Sequence, residues 1–224
     1  MTDKFIGHFS TIAVSKENEY RHIIENIQKK FNLNSIELTI ADFINKNKID
    51  YLNDYKDLRK RIAVILEHIY LPLKLHEKSN LNVLDIGSGF CCIKMISDAL
   101  GHNCINIEKP CKVKNSDLFL FNQINTMLNC TTFYENIVYT TKLRNNFDVG
   151  FILSQTFDEI GDNKLWNSNQ WVYFLRNLKS CLTKNGKIVL LYNSKTFNAQ
   201  LNVLAEENLS ILKQRAEEFS LYIV

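Results

Sequence analysis

The stretch VLDIGSGF, residues 83–90, is the most informative part of this sequence. An apolar run containing Asp85 leads into two glycines, and a helical pattern begins near Phe90, so the stretch predicts a strand, a tight turn and a helix. Gly87 allows the sharp turn, and Gly89 allows a ligand to approach the backbone with no Cβ in the way. The following helix presents free backbone N–H groups. In an open parallel sheet, ligands bind at the carboxyl ends of the strands, where this turn is expected.

The sequence after residue 81 alternates between short apolar runs and helical patterns. Such alternation predicts an α/β fold with a Rossmann-like, doubly wound, mostly parallel sheet that has helices on both faces. Strands that are apolar throughout fit a sheet covered on both sides. The predicted strands are 82–86, 104–108, 131–139, 147–154, 186–192 and 219–224, and the predicted helices are 90–100, 116–129, 168–182 and 198–218.

The first 75 residues show a purely helical pattern. Apolar residues recur at helical spacing in three segments, with Ser35 as the expected N-cap of the second and Asn53 or Asp54 as that of the third. The third helix is expected to end near Pro72. We therefore predict a helical N-terminal extension or cap over residues 1–75 and a ligand-binding domain over residues 76–224, with a soft boundary at KLHEKSNL, residues 74–81.

Composition excludes several classes of protein. The chain has 224 residues, of which 46% are hydrophobic and 23% charged, as is usual for a folded globular domain. The formal net charge of +3 is too small to argue for a nucleic-acid surface. Six cysteines without a CxxC pair favour a reduced, cytoplasmic protein. No apolar run approaches the ~20 residues of a membrane span, and the five histidines share no metal-ligand spacing, so no metal site is predicted.

Glu108 ends the second predicted strand, 21 positions after Gly87. Nucleotide-binding folds place an acid about 20 residues after the glycine turn, where it binds ribose hydroxyls. A nicotinamide dinucleotide fits less well, because the third glycine of G-x-G-x-x-G is replaced by Cys92 and because Asp85 would repel a pyrophosphate. An acid before the turn suits a ligand with an amine. This favours S-adenosyl-L-methionine, which joins adenosine to an amino acid through a positive sulfonium.

VLDIGSGF resembles motif I of the class I S-adenosylmethionine-dependent methyltransferases, an acid followed by G-x-G-x-G. Cys91 stands where the third glycine often stands, and small residues occur there. The resemblance implies that motif I surrounds the methionine part of the cofactor and that the acid after the second strand holds its ribose. The candidate cofactor-binding residues from these two segments are Asp85, Gly87, Ser88, Gly89, Phe90 and Glu108.

Two later segments extend the resemblance over about residues 80–195. FDVGFILSQTFDEIGD, residues 147–162, looks like the fourth strand of the family and its following loop, and LTKNGKIVLLYN, residues 182–193, is similar to the segment that forms the fifth. The loop supplies Ser154 and Gln155 as cofactor-binding candidates. It also supplies Asp158 and Glu159 as candidates for a catalytic base; the alternative is that one of them caps the next helix and the other is solvated.

The end of the chain is shorter than the family pattern. Family members usually finish with a helix, a sixth strand and an antiparallel seventh, whereas here one strand-sized segment, residues 219–224, follows the last helix. A sheet of six or seven strands is therefore predicted. Its exposed edge leaves room for a partner or a homodimer.

The resemblance implies an enzyme, a methyltransferase that aligns an acceptor with an activated methyl group. Residues 147–193 are also similar to bacterial methyltransferases that modify sugars and other small metabolites, so a sugar hydroxyl is the leading acceptor. The sequence lacks the D/N-P-P-Y/F stretch typical of base methylation. Two alternatives stay open: a methyltransferase for RNA or protein, helped by the basic residues 59–61, and a non-catalytic adaptor that works through its N-terminal helices. Trp166 and Trp171 are expected either to stack on a ring-shaped substrate or to pack in the core.

Overall fold

A computed structural model describes residues 17–48, 57–109, 117–135, 137–143, 146–153, 165–191 and 199–224. These ranges contain seven α-helices and six strands. The helices are α1 (Glu17–Lys30), α2 (Leu33–Asn47), α3 (Leu58–Ile65), α4 (Cys92–Ala99), α5 (Asp117–Met127), α6 (Ser168–Ser180) and α7 (Ala199–Gln214). The strands are β1 (Asn82–Ile86), β2 (Asn103–Glu108), β3 (Thr132–Tyr134), β4 (Phe147–Leu153), β5 (Leu182–Leu191) and β6 (Leu221–Ile223).

The six strands form one sheet in the order β3-β2-β1-β4-β5-β6, and every neighbouring pair is parallel. This confirms the predicted Rossmann-like, doubly wound α/β fold. The chain builds outward from β1 to β3 and then returns to the other side of β1 with β4. The crevice at the carboxyl ends of β1 and β4 is therefore the topological switch point, where open α/β sheets bind their ligands.

Three strands differ from the sequence prediction by more than one residue, and one of them is β6, which spans Leu221–Ile223 and not the predicted 219–224. The run 131–139 forms a strand over only Thr132–Tyr134, because its partner β2 ends at Glu108 and offers no further backbone to pair with. In contrast, β5 begins at Leu182, four residues before the predicted start. The last strand, β6, pairs directly with β5, so the described sheet has six strands.

Both faces of the sheet are covered, which explains why the segments 149–153 of β4 and 188–191 of β5 are apolar throughout. Side chains alternate between the faces along each strand. On β1 and β4, Val83 and Phe151 enter one core with α1, α3 and α4, whereas Leu84 and Ile152 enter a second core with α6. Trp166 and Trp171 lie in this second core, 1% and 2% exposed, with their ring centroids 5.5 Å apart. Core packing, and not stacking on a substrate, accounts for both tryptophans.

The N-terminal helices share the first core with the sheet. Tyr70, at the end of a π-helical turn that continues α3, stacks on Phe151 of β4 with ring centroids 5.8 Å apart. The hydroxyl of Tyr222 in β6 donates to the carbonyl of His68 at 3.2 Å. These contacts fasten the turn that follows α3 to β4 and β6. Apolar residues of α1 and α3 belong to the same core, so both helices cover this face of the sheet.

The predicted N-caps of α2 and α3 are wrong. Asn32 caps α2, where its Oδ1 accepts from the N–H of Ser35, the residue that had been expected to be the cap. Asp57 caps α3 by accepting from the N–H of Lys60, so this helix begins at Leu58, whereas Asn53 and Asp54, the predicted caps, lie outside the described residues. In both cases several capping-type residues lie close together, and local sequence does not rank them.

Among the described residues, no helix is long and apolar enough to cross a membrane.

Replacing Tyr70 tests whether the N-terminal helices and the sheet unfold together. Tyr70 is fully buried, and its hydroxyl also hydrogen-bonds Ser97 Oγ at 3.2 Å. Tyr70→Ala should lower the free energy of unfolding by about 3–5 kcal/mol, because it removes an aromatic ring from the core. Urea unfolding followed by tryptophan fluorescence, which reports the α6 side, and by far-ultraviolet circular dichroism should give one coincident transition. Tyr70→Phe is the control, with an expected loss of about 1 kcal/mol.

If Tyr70→Ala left the urea midpoint of the fluorescence transition unchanged, the result would contradict a common unfolding of the N-terminal helices and the sheet. It would instead support residues 1–75 as an independently folded unit.

Candidate functional site

The turn after β1 leaves open space beside its backbone. Gly87 and Gly89 both adopt positive φ angles, 73° and 50°. The N–H of Gly87 donates to the carbonyl of Ile107 in β2 at 2.8 Å, which ties the turn to the neighbouring strand. A Cβ added to Gly89 would meet none of the described heavy atoms within 4 Å. A glycine at position 89 therefore allows the left-handed backbone conformation, and the open space beside it allows a ligand to reach the backbone.

Glu108, the last residue of β2, binds the same turn. Its carboxylate is 5% exposed. Its Oε2 accepts from the N–H of Gly89 at 3.0 Å and lies 3.4 Å from Ser88 Oγ, while Oε1 accepts from the N–H of Lys109 at 2.9 Å. The acid predicted to hold a ribose is thus fixed beside the glycine turn by backbone donors.

Asp85 is a buried carboxyl group beneath the turn. It is 2% exposed, and its Oδ2 has no hydrogen-bond partner among the described residues. Burial, and then the negative charge of Glu108, raise the pKa of Asp85 to about 8. Leaving such an oxygen unpaired is unfavourable, and most buried polar atoms are hydrogen-bonded. A cationic hydrogen-bond donor would satisfy this carboxylate and favour its charged form.

A buried amide network supports the turn from below. Asn125 of α5 accepts at Oδ1 from Asn106 Nδ2 at 3.0 Å, from Cys91 Sγ at 3.1 Å and from Thr132 Oγ1 at 2.9 Å. Its amide nitrogen lies 3.5 Å from Ser88 Oγ. Asn106 and Asn125 are 0% and 1% exposed. The network joins α5, β2 and β3 to the residues that form the site.

Sequence reasoning missed both asparagines. The signal at Asn106 was a polar residue in the middle of the apolar run CINIE, where an unpaired amide would be costly. Asn125 offered no comparable signal, because an asparagine in a predicted helix is ordinarily solvated. Its role depends on three segments that are distant in sequence.

The structure brings together five of the six candidates from motif I and the second strand. Phe90 differs, because its side chain is 2% exposed and packs edge-on against Phe121, with ring centroids 4.8 Å apart. Its ring belongs to the core, and its backbone alone continues the turn. The loop candidates lie outside the described residues; they are Ser154, Gln155, Asp158 and Glu159.

The arrangement suits a ligand that combines a cation with hydroxyl groups. Two acids, Asp85 and Glu108, flank the turn, and α4 begins directly after it with Cys91 as its N-cap. Glu108, and Asp85 in its charged form, would repel a pyrophosphate. An amine would pair with Asp85, hydroxyl groups with Glu108, and an anionic group with the N–H groups at the start of α4.

No protein-family model and no curated protein matches the sequence. Among solved structures, DesVI of Streptomyces venezuelae is similar, with a TM-score of 0.42, 14% identity, 66% of this chain covered and 55% of that chain. The mitomycin 7-O-methyltransferase MmcR has a TM-score of 0.41 and 16% identity, with 80% of this chain and 54% of that chain covered. A methyltransferase from Aquifex aeolicus described as SAM-dependent has a TM-score of 0.41 and 18% identity, with 67% of this chain and 80% of that chain covered.

The chain thus spans little more than half the length of DesVI and of MmcR. These likenesses are distant, and we base the function on the geometry of the site.

Replacing Asp85 should change how stability depends on pH. The pKa of Asp85 is about 8 in the folded protein, against an ordinary value of 3.8. Between these values the folded state holds a proton that the unfolded state has lost, so stability falls as the pH rises through this window. Asp85→Asn removes this loss. The variant should therefore gain stability relative to wild type as the pH rises from about 5 to 8, by up to about 1.4 kcal/mol per pH unit.

Urea unfolding at several pH values measures this difference. Asp42→Asn is the control, because Asp42 is exposed on α2. A stability difference between Asp85→Asn and wild type that stays constant with pH would show that Asp85 is charged at neutral pH, and would contradict the assignment.

Proposed function

We propose that the chain is an S-adenosyl-L-methionine-dependent methyltransferase that acts on a small-molecule acceptor. One observation carries the proposal: a glycine turn with open space beside Gly89 lies between two buried acids, Asp85 with an unpaired oxygen and Glu108 bound to the turn. This combination fits a ligand that has an amine at one end and a ribose at the other.

The described residues fit the parts of this cofactor one by one. Asp85 would receive the amine of the methionine part, and the positive sulfonium would add to the favourable field of both acids. Ribose hydroxyls would donate to Glu108, where they would replace the long 3.4 Å contact from Ser88 Oγ. The carboxylate of the methionine part would lie near the N-terminus of α4. Gly89 would let the ligand approach the backbone.

The bound cofactor would supply an activated methyl group, so the protein mainly has to align an acceptor with it. The acceptor side is expected after β4, because Ile152 pairs with Ile86 at the carboxyl end of β1 and the chain leaves β4 beside the glycine turn. A hydroxyl acceptor would need a base to take its proton. Asp158 and Glu159 follow β4 in sequence and are our candidates for this base, and Ser154 and Gln155 of the same segment are our candidates for binding the cofactor.

A sugar hydroxyl remains the acceptor that we favour. The basic cluster at residues 59–61, which could have served RNA, is partly engaged within the fold. Arg59 pairs with Glu37 at 2.7 Å and with Asn34 at 2.7 Å, and Arg61 is half-buried. Lys60 is the exposed member of the cluster. This arrangement supports a structural role for Arg59 and weakens the case for a nucleic-acid or protein acceptor.

The geometry also argues against a fold that has lost its ligand. A fold that no longer bound a ligand would gain stability by replacing Asp85 with an apolar residue, since its buried carboxyl group is unfavourable without a partner. Its presence beneath an open turn is what a site for a cationic ligand requires. A homodimer through a sheet edge and a cytoplasmic location are further expectations from the sequence.

Calorimetric titration with S-adenosylhomocysteine tests the proposal. Wild type should bind this compound, which keeps the amine and the ribose. Asp85→Asn and Glu108→Gln should each weaken binding by roughly 10- to 100-fold, because each removes a hydrogen bond to a charged group that is worth about 1.5–3 kcal/mol. Asp148→Asn is the matched control: this acid, on β4, hydrogen-bonds Asn82 N–H and Thr183 at the amino end of the sheet.

Titration with NAD is the counter-test, and no heat of binding is expected. Binding of NAD but not of S-adenosylhomocysteine would contradict the proposal. Equal affinity of wild type and both acid variants would contradict the site assignment.

A further inference from the structure

The side chain of Asn125, on α5, contacts both elements that form the candidate site. Its Oδ1 accepts from Cys91 Sγ at 3.1 Å, at the end of the glycine turn, and from Asn106 Nδ2 at 3.0 Å, on β2. It also accepts from Thr132 Oγ1 at 2.9 Å, on β3. The amide nitrogen of Asn125 donates to the carbonyl of Phe121 at 2.9 Å. Because a carbonyl only accepts, this last bond fixes the orientation of the amide, with its oxygen towards the three donors.

These contacts act on the bond between the turn and Glu108. Asn106 lies two residues before Glu108 on β2, so the two side chains share a face of the sheet. Cys91 closes the turn, because its N–H donates to the carbonyl of Ser88 at 2.8 Å. Between these two points, the N–H of Gly89 donates to Glu108 Oε2 at 3.0 Å. The buried amide therefore holds the turn and β2 at the separation that this bond requires.

The side chain at position 91 comes at a cost to the backbone. Cys91 has a φ angle of 58°, in the left-handed region that a glycine adopts more easily. Its side chain is fully buried, and its thiol is the group that reaches Asn125. A thiol that donates to a buried amide oxygen gives a physical reason for a cysteine where the backbone favours a glycine.

We propose that the Cys91 thiol and the Asn125 amide are a positioning pair, which holds the glycine turn against Glu108 so that the carboxylate is placed for the ribose of the cofactor. Neither side chain of the pair is expected to touch the cofactor. The part that concerns the cofactor rests on the proposed function, whereas the effect on the bond between Gly89 and Glu108 does not.

Cys91 is the position to change, because Asn125→Ala would leave three buried donors without their acceptor and would compromise folding. Cys91→Ala removes the thiol. The affinity for S-adenosylhomocysteine, measured by calorimetry, should then fall about tenfold, since about one hydrogen bond of support is lost. Cys91→Ser keeps a hydrogen-bond donor and should bind like wild type. Cys91→Gly relieves the left-handed backbone but lacks the thiol, so it should lose as much affinity as Cys91→Ala.

Cys181→Ala is the matched control. Cys181 is also buried at the end of a helix, and its thiol lies 3.2 Å from the carbonyl oxygen of Asn177 and 3.4 Å from that of Leu143. It directly precedes β5, at the amino end of the sheet and away from the glycine turn. Its replacement should lower stability and leave the affinity unchanged. Circular dichroism and urea unfolding establish that each variant folds.

A double-mutant cycle separates positioning from a general loss of stability. If Cys91 acts through Glu108, Cys91→Ala should change the affinity little in a Glu108→Gln protein, which has already lost the carboxylate. In an Asp85→Asn protein, Cys91→Ala should still weaken binding about tenfold, because Asp85 receives a different part of the ligand.

Amide hydrogen exchange at Gly89 reads the turn without any ligand. Ser88–Gly89 is the only Ser–Gly pair in the sequence, so labelling serine with ¹³C at the carbonyl and glycine with ¹⁵N isolates the Gly89 amide signal. Exchange at Gly89 should accelerate about tenfold in Cys91→Ala and in Cys91→Gly, because its bond to Glu108 opens more easily. In Cys91→Ser it should stay at the wild-type rate.

Four outcomes would overturn the inference: wild-type affinity in Cys91→Ala, an unchanged exchange rate at Gly89 in that variant, a Cys91→Ser protein as impaired as Cys91→Ala, or a full further loss of affinity in the Glu108→Gln background. Failure of wild type to bind S-adenosylhomocysteine would instead contradict the proposed function. The exchange rates at Gly89 would then still decide whether the Cys91 thiol holds the turn against Glu108.

Discussion

The buried carboxyl group of Asp85 is the constraint on which the site depends. A parallel sheet sets its position: Asp85 pairs in register with Asn106, so that Glu108 extends past the end of β1 and reaches the turn. Folding therefore brings two acids together at the edge where open α/β sheets bind ligands. Without a ligand, the burial of Asp85 and its repulsion by Glu108 disfavour the charged form of the Asp85 carboxyl group. A cationic ligand would relieve both effects, so the site is expected to prefer cationic ligands.

The rest of the first core accommodates this unfavourable arrangement. Asn125 holds the turn through Ser88 and Cys91, and Cys91 keeps a left-handed backbone that a glycine would adopt more easily. On the same face, Tyr70 and the N-terminal helices close the core over β4. Local strain and a buried charge at a site, offset by packing and hydrogen bonds around it, are common where binding and stability make different demands on a fold.

The fold, the glycine turn and the position of Glu108 could be predicted from the sequence because their signals are local. Two glycines after an apolar run determine the turn, and the spacing to Glu108 follows from one helix and one strand. The caps Asn32 and Asp57 were missed because neighbouring residues were equally good candidates. The length of β3 depends on where β2 ends, and the contacts of Asn125 join α5, β2, β3 and the turn. Such long-range pairings leave no periodic trace in the sequence.

The most direct measurement is a pH titration of Asp85 itself, monitored by ¹³C nuclear magnetic resonance of protein labelled at aspartate carboxyl carbons. The variant Asp85→Asn identifies the Asp85 signal. Without ligand, the Asp85 carboxyl should titrate near pH 8. With S-adenosylhomocysteine bound, it should be ionised at about pH 7, because the ligand's amine favours the charged form. A signal that does not respond to this ligand would contradict the account of the site.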